Sequence, residues 1–359
     1  MRKLKVLELF AGIGACSKAL ERLGIEHEIV DAVEIDKYAI KSFNAIHNTN
    51  FEPQDICEWN KDIEVDLIMH GSPCQDFSLA GNQAGGNIDS GTRSSLMWET
   101  VRIVDKLKPK YVIWENVKNL LSKKHIHNFE CYLETMEELG YTNYYQVLNA
   151  KDYGIPQNRE RVFTVSILGN ENYEFQPKQE LKLKLKDMLE AEVDEKYYLS
   201  EKMIKYISAT GTANFKNPDC KINLDIARPI TTCNNKRAGT TNYLSDDLPS
   251  NYDLNRCIQV GELNIKALDC VKRVYSDEGV SPTLTNMQGG HRQPKVLNHL
   301  RVRKLTPKEC FRLMGFDDVD YEKVAKVNSN TQLYKQAGNS IVVNVLVNIL
   351  TNLLGDDYE

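Results

Sequence analysis

The sequence of 359 residues has little that would mark a metal-binding, secreted or membrane protein. Its nine cysteines include no C-x-x-C pair, which argues against zinc ribbons and thioredoxin-like redox sites, so we expect no bound metal. Scattered cysteines of this kind are typical of reduced thiols in the cytoplasm. The chain begins with a predicted strand in place of a signal peptide, and no apolar run is long enough to span a membrane. These absences predict a cytoplasmic protein with no membrane partner.

An excess of positive charge is also missing, because 45 Lys and Arg residues face 50 Asp and Glu residues and give a formal net charge of -5. A nucleic-acid partner would therefore need a local basic surface, since phosphate contacts supply much of the affinity for nucleic acids. The composition is that of an ordinary globular protein, with 42% hydrophobic and 26% charged residues. The length predicts two domains, or one large domain with an insertion.

The first half of the chain alternates predicted strands and helices. This alternation predicts an α/β fold with a doubly wound, mostly parallel sheet, in which the last two strands form an antiparallel pair. From residue 170 to about residue 300 the sequence changes to short β-like runs rich in Asn, Thr and Gly, which predict a smaller β-rich domain. The main strands are predicted at 5–10, 28–35, 65–70, 110–114, 143–148 and 161–168.

Two helix signals stand near the C-terminus. Thr306 and Glu309 have the spacing of a capping box, with Pro307 at the first helical position, and Gly315 is predicted to end that helix. A second helix is predicted over 341–354, with Ser340 as its N-cap. Its apolar residues recur at helical spacing, so we expect it to bury one face on a core.

A cysteine directly follows the strand predicted at 65–70. Cys74 comes after Gly71 and Pro73, and a loop rich in Gly, Ser and Asn continues to about residue 95. Open α/β sheets bind ligands at this position, and Pro73 stiffens the backbone next to the thiol. The alternative is that Cys74 is a small buried hydrophobic residue, but its polar and glycine-containing surroundings favour a functional thiol.

A glycine loop after the first strand predicts a nucleotide-like ligand. Gly12 and Gly14 lack the third glycine of the dinucleotide fingerprint, so alone they are a weak signal. Glu34 ends the second strand, where a carboxylate can bind a ribose diol, and Asp55 closes a short third strand, where it can accept from an adenine amino group. Shortened glycines and two acids favour S-adenosylmethionine over NAD.

Further polar residues follow the next strands. Glu115 ends the strand beside the one that leads to Cys74, so it is either a solvated loop residue or a general acid near the thiol. If Gln157 begins a strand, then Arg159 and Arg161 share its face and need an anionic or carbonyl partner. The alternative is a surface ladder of ion pairs with Glu160 and with acids from elsewhere in the chain.

Two segments of the β-rich region, 227–232 and 280–285, resemble each other, and each precedes a polar, glycine-bearing stretch. They are either unrelated strand–turn units or a pair of loops that present amides and guanidinium groups to base edges.

Several motifs, taken together and in order, resemble those of the DNA cytosine-5 methyltransferases, of the prokaryotic or phage type. They cover the chain except for about 169–300, where that family has its variable target-recognition domain. Ser72 stands where relatives often carry Pro or Phe. The motifs are Phe10-Ala11-Gly12-Ile13-Gly14, Pro73-Cys74-Gln75 with Phe77-Ser78, Glu115-Asn116-Val117, Gln157-x-Arg159-x-Arg161, Arg303-Lys304-Leu305-Thr306-Pro307 with Glu309-Cys310-x-Arg312-Leu313-Met314-Gly315-Phe316, and Gln336-Ala337-Gly338-Asn339-Ser340.

The resemblance implies a Rossmann-like catalytic domain at 1–169 that is completed by about 330–359, a target-recognition domain at 170–300 and a small hinge segment at 301–329. It implies that Cys74 adds to C6 of a flipped cytosine, that Glu115 contacts or protonates N3, and that Arg161 holds O2 with support from Arg159. S-adenosylmethionine is the implied methyl donor, with S-adenosylhomocysteine as product. The implied cofactor pocket consists of Phe10, Gly12, Gly14, Glu34, Ile35, Asp55, Ile56, Pro73, Leu96, Asn339 and Ser340.

Double-stranded DNA is the expected partner of a monomer that methylates cytosine in a specific sequence, as in restriction-modification. A tRNA cytosine-5 methyltransferase, a catalytically silent DNA-binding relative and a nicotinamide-dependent dehydrogenase are the alternatives. The length of the recognition region favours DNA, the presence of both Cys74 and Glu115 argues against a silent relative, and the missing third glycine argues against the dehydrogenase. We expect DNA contacts from Gln75, Ser78, Arg93, Lys236, Arg237, Gln288, Gly289, Gly290, Arg292, Lys295, Arg301 and Arg303.

Overall fold

The structure is a computed structural model that describes residues 2–72, 96–198, 256–263, 269–284, 293–298 and 301–355. A six-stranded sheet forms its centre, in the order β2-β1-β3-β4-β7-β5. The first four strands in that order are parallel, and β7 pairs antiparallel with both β4 and β5. The predicted mostly parallel sheet with an antiparallel pair is therefore confirmed. Its strands are β1 (Leu4–Leu9), β2 (His27–Val33), β3 (Leu67–His70), β4 (Tyr111–Val117), β5 (Tyr141–Asn149) and β7 (Glu160–Leu168).

Helices cover both faces of this sheet, and β1 shows how the sequence divides between them. Leu4 and Val6 face one core with α1 and the C-terminal helix, whereas Leu7 and Leu9 face the other with α3 and α4. This alternation follows from the two-residue period of a strand. Both faces of a doubly wound sheet must be covered, so the central strands carry apolar residues on both faces. The helices of this part are α1 (Ala15–Leu23), α2 (Lys37–His47), α3 (Met97–Leu107) and α4 (Ile126–Glu138).

The short strand predicted to close at Asp55 is not formed, and this prediction was wrong. The segment between α2 and β3 makes one backbone hydrogen bond to the end of β2, from Gln54 N to the oxygen of Glu34 (2.9 Å). Side-chain hydrogen bonds fix this segment where a strand would have backbone pairing. Buried Asp31 accepts from Gln54 Nε2, Trp59 Nε1 and Lys61 Nζ at 2.7–2.8 Å.

A second sheet of four strands contains most of the described strands of the β-rich region, in the order β12-β11-β9-β8. The predicted boundary near residue 300 falls between β11 and β12, which pair antiparallel. A separate two-stranded pair joins this region to the catalytic part of the chain, where β10 runs parallel to β6. These elements are β6 (Gln157–Asn158), β8 (Gln259–Glu262), α5 (Asp269–Lys272), β9 (Arg273–Ser276), β10 (Ser281–Pro282), β11 (Lys295–Asn298) and β12 (Arg301–Lys304).

The C-terminal helices confirm one helix start and correct another. Helix α6 (Pro307–Leu313) begins with the predicted capping box, in which Thr306 Oγ1 accepts from Glu309 N (3.2 Å). The helices α7 (Asp318–Ala325), α8 (Asn330–Asn339) and α9 (Val343–Leu354) follow. The prediction that Ser340 caps the last helix was wrong, because its hydroxyl donates to the Ile341 oxygen and α9 begins only at Val343. Helix α9 buries its apolar face on α1, as expected.

The stretch Asn330–Leu354 has the length and hydropathy of a membrane span, which we did not expect from the sequence. It consists of the two helices α8 and α9, and 61% of its most apolar part is buried inside the molecule. It therefore packs as a core element of this fold.

Candidate functional site

A cleft opens at the carboxyl ends of β1, β3 and β4, which is where doubly wound sheets bind ligands. It encloses about 410 Å³ of space outside the protein atoms, including its open mouth. The structure brings five predicted site residues together in its lining, which are Phe10, Gly12, Glu115, Asn339 and Ser340.

The glycine loop has two glycines with different surroundings. Gly12 has φ +58°, and a Cβ built on it would meet no atom closer than the Phe10 oxygen at 4.0 Å, so the space in front of it is open to a ligand. Gly14 has φ +79°, but its Cβ would lie 2.1 Å from His47 Nε2. Gly14 is therefore needed for packing against α2, and it does not line the cleft.

The acid at the end of β2 is tied to the glycine loop. Glu34 Oε2 accepts from Gly12 N (3.0 Å), and its other oxygen accepts from Asp36 N (2.8 Å). Burial raises the pKa of this carboxyl despite those two hydrogen bonds. Ile35 follows at the rim with 69% of its surface exposed, which leaves an apolar face for a flat ring. The hydrogen bond to Gly12 N ties Glu34 to a cleft-lining residue, and contact of Glu34 and Ile35 with a nucleoside stays a prediction.

The other predicted cofactor residues lie apart from the cleft lining. Asp55 is exposed, and its Oδ1 accepts from Cys57 N (2.9 Å) in a turn. Ile56 is buried, and Leu96 is partly buried against the same core. Pro73 lies outside the described residues.

Glu8 is a cleft residue that the sequence analysis missed. It lies on β1 on the face of Leu4 and Val6, is 2% exposed, and accepts a hydrogen bond from Ser17 N (3.0 Å) and another from the Ser17 hydroxyl. Burial raises its pKa to about 7. An acid inside an apolar strand is the signal that could have identified it, since buried carboxyls are rare without a function or a partner. Cys16 also lines the cleft.

Glu115 and Arg161 form an ion pair beside the cleft. Arg161 Nε lies 3.0 Å from Glu115 Oε1, and both side chains are mostly buried. The end of β3 passes close to this pair, because a Cβ on Gly71 would lie 3.7 Å from Glu115 Oε2. One residue after Gly71, Ser72 Oγ accepts from Trp114 Nε1 (3.0 Å), which holds β4 against the chain that leads to Pro73 and Cys74. A second, smaller cavity is lined by Glu115, Arg159 and Arg161.

The polar residues between Gln157 and Arg161 alternate as predicted. Gln157 and Arg159 are buried, whereas Asn158 and Glu160 are exposed. Glu160 pairs with Lys118, so the alternative of a surface ladder between the two arginines and Glu160 was wrong. Arg159 donates to the backbone oxygens of Leu284, Gly338 and Ser340 at 2.6–3.3 Å. These contacts favour a positioning role for Arg159, and a catalytic role stays a prediction.

Two of the predicted phosphate-binding residues are buried, and this part of the prediction was wrong. Arg303 is fully buried, and its guanidinium makes two hydrogen bonds to Glu309, at 2.7 and 2.8 Å. Lys295 is also buried, with Nζ donating to the Val271 oxygen (2.7 Å). A basic residue in sequence does not show whether its charge is already neutralised within the fold.

Most other predicted nucleic-acid contacts cannot be placed. For Arg301 only the backbone position in β12 is described. The following predicted residues lie outside the described ranges: Cys74, Gln75, Ser78, Arg93, Lys236, Arg237, Gln288, Gly289, Gly290 and Arg292.

A family model described as "C-5 cytosine-specific DNA methylase" matches residues 4–355 of this chain. The chain belongs to that family. The orphan methyltransferase M.SPBetaI of Bacillus phage SPbeta is 32% identical over 99% of this chain and 98% of its own length. The type II methyltransferase M.HhaI of Haemophilus parahaemolyticus is 34% identical over 98% of this chain and 94% of its own length.

Solved structures agree on the fold of this C-5 cytosine methylase. The Dnmt2 methyltransferase of S. pombe superposes with a TM-score of 0.65 at 20% identity, over 98% of each chain. At this identity the likeness concerns the architecture alone. The family model, and not this superposition, confirms the family resemblance seen in the motif order.

Proposed function

We propose that this protein is a sequence-specific DNA cytosine-5 methyltransferase that uses S-adenosylmethionine. The observation that carries the proposal is the Glu115–Arg161 ion pair beside the cleft, next to the end of the strand that leads to Cys74. A carboxyl and a guanidinium held 3.0 Å apart offer one edge of a pyrimidine both a proton-sharing group and a donor. The motif order and the family membership support the same chemistry.

The residues of the cleft fit the proposed cofactor. Gly12 leaves open space where a side chain would intrude, and Glu34 presents a carboxyl at the position where ribose hydroxyls are bound. The exposed side chain of Ile35 suits an adenine face. When bound there, S-adenosylmethionine supplies the methyl group. Asn339 and Ser340 line the cleft from the C-terminal side. Asp55 lies apart from that lining, and its proposed role as acceptor for the adenine amino group rests on the family resemblance.

In the proposed mechanism the Cys74 thiolate adds to C6 of the cytosine and forms a carbon–sulfur bond, which breaks the aromaticity and places electron density on C5. Glu115 shares a proton with N3 and offsets the charge that develops on the ring, while Arg161 donates to O2. After C5 is methylated, loss of the C5 proton expels the Cys74 thiolate and restores the ring. The base must leave the helical stack to reach these groups, at a cost of a few kcal/mol.

The experiment is methyl transfer from labelled S-adenosylmethionine to duplex DNA by the wild type and by Cys74→Ala. We expect label in DNA with the wild type and none with the variant, because the thiol is the only proposed nucleophile. Thermal shifts with S-adenosylhomocysteine control for cofactor binding and folding of the variant. Equal labelling by both proteins would refute the role of Cys74. Labelling of tRNA in preference to DNA in direct competition would refute the substrate.

The domain organisation, a monomeric state and a cytoplasmic location belong to the same proposal. Helix α9 packs against α1 in the core of the catalytic part, which supports a catalytic domain completed by the C-terminal segment. The five cysteines whose side chains are described are free thiols, which suits a reducing compartment.

A further inference from the structure

Two buried side chains connect four parts of the chain that are far apart in sequence. Gln157 is fully buried, its Oε1 accepts from Leu284 N (2.9 Å), and its Nε2 donates to the Leu313 oxygen (2.7 Å). It therefore joins the recognition region to helix α6. An amide that satisfies one donor and one acceptor in a dry interior has a single fitting orientation.

Arg159 connects residues 281–284 of the recognition region, called the recognition segment below, to the cleft proposed for the cofactor. One terminal nitrogen of its guanidinium donates to the Leu284 oxygen (2.6 Å), and the other donates to the Ser340 oxygen (2.8 Å). Both nitrogens also lie 3.3 Å from the Gly338 oxygen. Ser340 lines the cleft proposed for the cofactor. A planar guanidinium thus fixes the distance between Leu284 and residues 338–340 at the cleft.

The recognition segment is bound along its length to the strand that carries these residues. Ser281 N donates to the Pro156 oxygen (2.5 Å), and Thr283 Oγ1 donates to the Asn158 oxygen (2.5 Å). The segment then continues into residues 285–292, which contain the predicted base contacts. Of the two readings for residues 280–285, this arrangement favours a structural attachment for 281–284.

We propose that Gln157 and Arg159 are positioning residues that hold residues 281–284 of the recognition region relative to Glu115 and Arg161, and that Arg159, unlike Gln157, makes this placement depend on the occupied cofactor cleft through Ser340. The inference rests on the proposed function. The hydrogen bonds of the Gln157 side chain described above reach the recognition segment and α6, and none of them reaches a residue that lines the cofactor cleft. Arg159 contacts both the recognition segment and residues 338–340 at the cleft. The two residues should therefore affect DNA binding in different ways.

The experiment measures the dissociation constant for a duplex substrate with and without S-adenosylhomocysteine, and that for S-adenosylhomocysteine alone. The variants are Gln157→Met, which keeps the length of the side chain without its hydrogen bonds, and Arg159→Lys, which keeps the charge. Tyr141→Phe is the matched control, because it removes another buried hydrogen bond, from Tyr141 to the Pro109 oxygen, at the far edge of the sheet.

We expect Gln157→Met to weaken DNA binding by about 10-fold, with and without the cofactor product alike, because a lost buried hydrogen bond is worth about that factor. Binding of S-adenosylhomocysteine should stay unchanged. We expect S-adenosylhomocysteine to increase the DNA affinity of the wild type, and a wild type without that increase would overturn the role of Arg159. Arg159→Lys should abolish the increase and should reduce by the same factor the effect of DNA on S-adenosylhomocysteine binding. Tyr141→Phe should lower the melting temperature without changing either constant.

Variants that melt earlier but bind DNA and product like the wild type would overturn the inference and leave the proposed function intact. The same holds if Gln157→Met and Arg159→Lys change the coupling equally. A wild type that binds S-adenosylhomocysteine but no duplex DNA would overturn the proposed function, and this inference with it.

Discussion

Replacing Glu8 by Gln should change how stability depends on pH. Burial raises the pKa of Glu8 from 4.5 to about 7 in the folded state. Since one pKa unit corresponds to about 1.4 kcal/mol, the ionised carboxyl destabilises the fold by about 3 kcal/mol at alkaline pH. The glutamine amide has the same shape and can keep the oxygen that accepts from Ser17 N, but it does not ionise.

The sign follows from the protons bound in each state. Between pH 4.5 and pH 7 the folded protein holds more of the Glu8 proton than the unfolded chain does, so this contribution is complete below pH 4.5 and is lost as the pH rises through 7. His70 acts in the opposite direction, because burial lowers its pKa to about 3 and the fold is destabilised as the pH falls below 6.5. A pH curve of the wild type alone would mix the two effects.

The assay is therefore urea unfolding of the wild type and Glu8→Gln at pH 5 and pH 8.5, where only the difference between the two proteins is read. We expect the free energy of unfolding of the variant, relative to the wild type, to rise by about 2.5 kcal/mol between these pH values. Glu52→Gln, at an exposed position, is the control and should show no such rise. A difference for Glu8→Gln that is the same at both pH values would refute the argument that burial holds this carboxyl protonated.

Three further predictions concern residues with defined surroundings. Gly14→Ala should destabilise the fold by more than Gly12→Ala, and urea unfolding of both variants tests this. Both variants bear the roughly 1–2 kcal/mol cost of a left-handed conformation, but only the Cβ added at residue 14 meets an imidazole nitrogen of α2, at 2.1 Å. Arg303→Met should cost about 3–5 kcal/mol of unfolding free energy by leaving the charge of Glu309 buried without its cation. Adding Glu309→Gln removes that charge and keeps one oxygen for the backbone N–H of Thr306 or Glu190, so the double variant should recover part of the loss, and full additivity of the two changes would contradict this. Glu115→Gln should lower the methyl-transfer rate by about 10²–10⁴-fold with unchanged binding of S-adenosylhomocysteine, and an unaltered rate in single-turnover assays would remove Glu115 from the mechanism.

Local chemistry made some elements predictable from the sequence alone. Thr306 and Glu309 satisfy each other's backbone donors within four residues, so the start of α6 needs no distant partner. Gly24 likewise ends α1 in a left-handed conformation, which is common for a glycine directly after a helix. Ser340 shows the limit of such signals. It has the residue type of an N-cap, but its carbonyl oxygen accepts from Arg159, and the chain stays extended until α9 begins.

The two arginines of the Gln-x-Arg-x-Arg motif show which part of a site a sequence cannot assign. The two-residue alternation correctly placed both guanidinium groups on the inner face and required a carboxylate or carbonyl partner for each. The alternation could not assign a partner to each arginine. Arg161 pairs with Glu115 of the neighbouring strand, whereas Arg159 donates to carbonyl oxygens of segments 125 and more residues away. The charged residues along one strand determine how many hydrogen-bonding or ionic partners are needed. The topology of the sheet determines which residues lie close enough to be those partners. Residues of one motif therefore acquire different tasks, with Arg161 facing the proposed substrate beside Glu115 and Arg159 holding the segments that surround it.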